Sequence, residues 1–230
     1  MASIWVVQSG CNNPARDLSS KAGGAFPLDA ISEPEYLLSM SAASVILELP
    51  EVRARISPIT VAQYRQLSEF NERGRRTELI RGIIFEKMSK SPLHSSIARR
   101  LFTLLQNALP PHFTLLREDP LTFADSEPEP DLAIVHGEEK DFVSQHPSTA
   151  ALVIEIAVSS AAEDRSLASL YAEAGVGEYW IVLPAERRIE VYRQPQNGIY
   201  QTILAVDGKA ELTCESVAGL SLKLGELFER

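Results

Sequence analysis

The order of apolar patterns along the 230 residues predicts an α/β fold, a mixed central sheet flanked by helices. Three observations carry that prediction. A stripe at helical spacing, Ile97, Leu101, Leu104, Leu105 and Ala108, lies among short apolar runs of strand length. One such run, Ala151 to Val158, is interrupted only by Glu155, which suits a strand covered on both faces. Pro110-Pro111 and Gly175 mark places where one pattern stops.

Residues 1–50 differ from the rest. Pro14, Gly23, Gly24, Pro27 and Pro34 break them up, so an N-terminal extension is expected, partly disordered or packed on a partner. The main domain spans 51–230. Thr60 caps a helix carrying Val61, Tyr64, Leu67 and Phe70 on one face. Glu78 to Met88 reads as two strands about a turn at Arg81-Gly82. Ser91-Pro92 opens the helix that bears the stripe, with Ser as cap and Pro in the first turn. Phe113 to Leu116, Leu132 to Val135 and Ala151 to Val158 are strands, and a helix from Glu163 to Ala174 ends at Gly175. Glu178 to Leu183 and Arg188 to Arg193 form a hairpin, and Ile199 to Val206 with Ala210 to Thr213 form another about Asp207-Gly208.

Composition narrows the function. No apolar run is long enough to span a bilayer, and Met1 to Gly10 lacks the basic and apolar regions of a secretory signal. Cys11 and Cys214 make neither a disulfide framework nor a zinc cluster, so a cytoplasmic setting is expected. The net charge of −9 argues against a general coat for nucleic acid. From Glu72 to Arg100, however, eight basic residues face three acidic ones, either a solvated face or a local patch for a polyanion. There is no Gly-rich phosphate loop and no Gly-x-Ser-x-Gly elbow.

Glu155 carries the most information. A carboxylate inside a buried strand is costly unless a basic partner, protonation or a metal ion compensates it. Asp131 stands directly before the apolar strand that begins at Leu132. If the two strands are neighbours, both carboxylates converge at one end of the sheet. Two acidic oxygens with backbone carbonyls and water make the open, hard site that Mg²⁺ prefers, whereas a salt bridge to a buried Arg is the structural alternative. A glycosidase pair is also conceivable, but aromatics at 7% offer no sugar platform.

Several strings in this order resemble one family. They are Tyr64 to Leu67 with Glu69, Glu78-Leu79-Ile80-Arg81-Gly82, Ser91-Pro92-Leu93-His94, Glu129-Pro130-Asp131-Leu132-Ala133, Val153-Ile154-Glu155-Ile156, and Tyr171 to Val182. Together they resemble the Uma family of restriction-endonuclease-type proteins, within the PD-(D/E)XK nuclease superfamily, over about residues 58 to 195. The resemblance implies a restriction-endonuclease-like core and a DNA endonuclease that uses Mg²⁺, with Mn²⁺ as a substitute. It implies that Asp131 and Glu155 hold the metal with the Ile156 carbonyl, and that Glu78 assists. His94 matches a histidine of the family pattern.

One departure matters. The superfamily places a Lys two positions after the acid, where this chain has Ala157, and the family carries it instead on the next helix, where this chain has Leu167. Arg165 and Lys87 are the candidates to stand in, although Arg is a poor base. Loss of one electrostatic contributor costs on the order of 10²–10³ in rate. Two rival readings follow: a catalytically degenerate relative that binds nucleic acid or protein, and a dimerisation module pairing through exposed edges at Tyr179 to Leu183 and Ile189 to Tyr192. A homodimer also suits an enzyme that cuts two strands.

Overall fold

A computed structural model describes residues 49–69 and 76–229. The extension expected over 1–50 therefore lies outside the described residues, except for its last two. The chain divides near Ile59 into two compact units. In the smaller, helix α1 (Pro50–Arg53) is a single turn with Pro in its first positions.

The larger unit begins with α2 (Val61–Glu69). The Gln63 N–H donates to Thr60 Oγ1 at 3.2 Å, and the Thr60 N–H donates to Gln63 Oε1 at 2.8 Å, so the two residues cap the helix reciprocally. Tyr64 is buried and its hydroxyl donates to the Thr77 carbonyl at 2.7 Å. Leu67, expected on the same face, is 53% exposed, and Phe70 lies outside the described residues.

Strands β1 (Thr77–Ile80) and β2 (Ile83–Glu86) form a two-stranded sheet of their own. Their turn uses Arg81 at φ +51° and Gly82 at φ +74°, the left-handed pair that tight hairpins require. A bridge between Leu79 and Glu127, and a bond from the Gly82 N–H to the Asp125 carbonyl, fasten this hairpin to the following loop. The Arg81 guanidinium adds two bonds to the Glu173 carboxylate.

Helix α3 (Pro92–Ala108) starts where the sequence predicts, with Ser91 Oγ accepting from the His94 N–H. Its buried side chains are Ile97, Ala98, Leu101 and Leu105. They cover one face of a six-stranded sheet made of β3 (Phe113–Leu116), β4 (Leu132–His136), β5 (Leu152–Ile156), β6 (Glu178–Leu183), β7 (Arg188–Gln196) and β8 (Ile199–Asp207). The spatial order is the chain order, and only the β5–β6 pair is parallel. Parallel neighbours need a crossover. Here it runs through α4 (Ala161–Ser166) and α5 (Ala168–Glu173). The expected single helix over 163–174 is thus two short ones, meeting at Leu167.

Alternation along each strand splits the core. Leu132, Ile134, Ile154, Trp180 and Val182 face α3, whereas Ala133, Val135, Val153, Tyr179 and Ile181 face Tyr171 and Ala172 of α5. The chain ends in β9 (Glu211–Thr213), β10 (Ser221–Lys223) and α6 (Leu224–Phe228), which close over the α3 side.

Two expectations are corrected. The second hairpin does not form between β8 and the 211–213 strand. β8 pairs with β7 about Asn197-Gly198, and β9 pairs with β10. Asn197 and Gly198 have φ of +52° and +75°, the favoured hairpin geometry. Pro195 hid that signal, because a proline within a run reads as the end of a strand. The proposed free edges at 179–183 and 189–192 do not exist either, since β6 and β7 each have a neighbour on both sides.

Candidate functional site

The antiparallel register of β4 and β5 sets Leu132 opposite Ile154 and Ala133 opposite Val153. One step further along the same register, Asp131 lies across from Glu155. Both side chains fall on the α5 side of the sheet by alternation. The Asp131 N–H donates to Glu155 Oε2 at 3.1 Å, and the Ile156 N–H donates to Asp131 Oδ2 at 2.9 Å. The two carboxylates named from sequence therefore meet because of strand pairing.

Helix α3 and the loop before it supply the side-chain partners of Asp131. His94 Nε2 lies 2.9 Å from Asp131 Oδ2, and Lys90 Nζ donates to Asp131 Oδ1 at 2.7 Å and to Glu118 Oε1 at 2.7 Å. Burial works against a charged Asp131, but the bonds from His94 and Lys90 outweigh it and hold its carboxyl down at about 2. His94 Nδ1 is buried with no hydrogen-bond partner.

Glu155 has the opposite balance. Its carboxylate accepts from the Tyr171 hydroxyl at 3.0 Å, and Tyr171 is itself packed on Tyr179 at a ring-centroid distance of 4.8 Å. Burial raises its carboxyl well above the ordinary range, and the charges of Asp131 and Asp164 add to the rise. Asp164, at the end of the crossover's first turns, is raised to about 6, chiefly by burial, against the opposing bond from the Ser160 hydroxyl at 2.7 Å. Glu78 enters from β1, where it accepts from Lys87 Nζ at 3.3 Å and from the Glu129 N–H at 3.3 Å.

Glu78, Asp131, Glu155 and Asp164 line one cavity of about 490 Å³, together with Lys87 and Lys90. A larger cavity of about 760 Å³ lies elsewhere, between Arg65, His136, His146 and Gly177, and gathers no comparable set of acids. The smaller cavity is the candidate site, because perturbed carboxylates converge there. Among the described residues no group of three or more His, Cys, Asp or Glu stands ready-made around a metal position. The donor set nevertheless suits a hard divalent cation: carboxylate oxygens in excess over the cations, and one of them, on Glu155, buried at an energetic disadvantage that a cation relieves.

The missing lysine is clarified in part. Leu167 lines the cavity where the resemblance calls for Lys, and Ala157 is buried. Arg165 does not stand in, because its guanidinium makes two bonds to the Glu190 carboxylate, at 2.9 Å and 2.7 Å. Lys87 does reach the cavity. Lys90, which the sequence offered only as one charge in a basic stretch, touches Asp131 directly. A readable signal was its place just before the Ser91 cap, on the same chain turn as His94.

Among the described residues most of that basic stretch is paired, Arg99 being exposed on α3. Arg76 is bonded to Glu118 and Glu129, Arg81 to Glu173, Lys87 to Glu78, and Lys90 to Glu118 and Asp131. Arg100 donates to the Leu227 and Glu229 carbonyls. Arg73 and Arg75 lie outside the described residues.

A mixed sheet flanked by helices, with an acid pair opposed across two central strands, defines a nuclease-type fold of the restriction-endonuclease class. A crystal structure described as "a putative nuclease belonging to DUF820", from Anabaena variabilis, is similar, with a TM-score of 0.62 and 22% identity over 74% of this chain and 98% of that one. Residues 61–225 match the family model Uma2, described as "Putative restriction endonuclease", and the chain belongs to that family. No curated protein matches it. The expected family and the restriction-endonuclease-like α/β core are both borne out. No described helix is long and apolar enough to cross a membrane.

Proposed function

We propose that the protein is a Mg²⁺-dependent endonuclease that hydrolyses phosphodiester bonds of DNA, with Mn²⁺ able to replace Mg²⁺, and that it works as a homodimer on two strands. The observation that carries the reading is Asp131 opposed to a partly buried, charge-disfavoured Glu155 in one shared cavity. Asp131, Glu155 and the Ile156 carbonyl would hold the cation. When bound, such an ion polarises a phosphate oxygen and lowers the pKa of coordinated water.

The chain's own residues prepare that site. His94 and Lys90 keep Asp131 ionised. The Tyr171 hydroxyl fixes one oxygen of Glu155, and the Asp131 N–H fixes the other. Glu78 faces the pair from the hairpin wall, where it can orient water. Leu167 and Ala157 favour a second reading, a degenerate relative that binds nucleic acid or a protein without cutting.

Supercoiled plasmid incubated with the protein and Mg²⁺ or Mn²⁺ separates the two. The expected result is nicking that falls on the order of 10²–10³ or more in Asp131→Asn and in Glu155→Gln. No cleavage with any divalent cation, alongside salt-dependent DNA binding, selects the degenerate reading instead.

A further inference from the structure

Lys90 sits where an anionic substrate meets an acidic wall. The cavity presents Glu78, Asp131, Glu155 and Asp164, and those of them that are ionised repel a phosphodiester. Among the described residues the lysines that line the cavity are Lys87 and Lys90, and no described arginine lines it. They are not equivalent. Lys87 is turned back onto Glu78 and the Glu129 carbonyl, its own hairpin wall and the adjoining loop. Lys90 is bonded to Asp131 itself, although the two lysine side chains are similarly accessible, 21% for Lys90 and 17% for Lys87. Its position is fixed by local chemistry: the next residue, Ser91, caps α3, and the ammonium is held between Asp131 and Glu118.

We propose that Lys90 is the phosphate-contacting lysine of this chain, swinging from Asp131 and Glu118 to the scissile phosphate when Asp131 engages a divalent cation. The inference rests on the nuclease reading above. Arg76 stays bonded to Glu118 when Lys90 leaves, Asp131 would be neutralised by a bound cation, and the freed ammonium would meet the phosphate's non-bridging oxygens. An ammonium so placed stabilises the extra negative charge of the pentavalent transition state. It replaces from the loop before α3 what Ala157 and Leu167 cannot give from β5 and the crossover.

Single-turnover cleavage and Mn²⁺ calorimetry are measured on the full chain for wild type, Lys90→Met, Lys90→Arg and the double variant Lys90→Met with Leu167→Lys. Lys90→Met is expected to lose on the order of 10²–10³ in the cleavage rate. It should still bind Mn²⁺ at least as tightly as wild type, since a competitor for Asp131 has gone. Lys90→Arg should retain most of the rate, and Leu167→Lys should restore at least tenfold to Lys90→Met. A purely structural Lys90 gives no such rescue. Active wild type with an equally active, metal-binding Lys90→Met overturns the lysine's role alone. Wild type inactive with every divalent cation overturns the nuclease reading, and this inference with it.

Discussion

Glu155 and Glu178 stand near opposite ends of the same parallel strand pair, and the fold treats them differently. Glu178, 1% exposed at the start of β6, receives the Trp180 indole N–H at 2.8 Å, Arg193 Nε at 3.2 Å, the Ser216 N–H at 3.0 Å and the Glu215 N–H. Every donor serves to hold its charge, and through them the segment before β10 is fixed to the sheet. Glu155, at the end of β5, has one hydroxyl and one N–H for partners and two further acids as neighbours. A buried carboxylate met by many donors organises structure; one met by few, grouped with other acids, marks a candidate site.

The sharpest way to break this contrast is Glu178→Ala. It strands Arg193 and two backbone N–H groups, and should cost about 3–5 kcal/mol, read by urea unfolding. A loss under 1 kcal/mol would mean that Glu178 is not the structural member of the pair. Next in size is the response to divalent cations. At a hundredfold excess over Kd, Mg²⁺ or Mn²⁺ should stabilise wild type by about 2.7 kcal/mol, and this gain should vanish in Glu155→Gln and persist in Glu178→Gln. Equal gains in both variants would move the cation away from the acid pair.

The smallest expected effect concerns Asp164. Its carboxyl is raised to about 6 from an ordinary 3.8, so the fold favours the protonated form. That contribution is complete below pH 3.8 and is lost as pH rises through about 6. Asp164→Asn should flatten this slope and gain about 1–2 kcal/mol at pH 7. Parallel pH profiles of the two proteins would show that the acids around Glu155 do not crowd one another.

How much of this was legible follows the same physics. Strands β3 to β6 and helix α3 were readable because apolar period and capping residues are local. Asp131 and Glu155 were readable because a carboxylate in or against an apolar run is a conflict visible in one dimension. Glu178 raised no such alarm, since it opens its strand, and its partners come from residues 193, 215 and 216. Lys90 escaped for a similar reason: an acceptor 41 positions away gives it meaning. Leu67 and Arg165 were misjudged because tertiary neighbours, not periodicity, decide which face is covered and which charge is taken.

The hairpin of β1 and β2 is a separate sheet, joined to the body through the 125–127 loop and the Arg81–Glu173 pair. One side of the cavity is consequently detachable in an evolutionary sense. Substitutions there can reshape the cavity wall while the strand register that opposes Asp131 and Glu155 stays untouched.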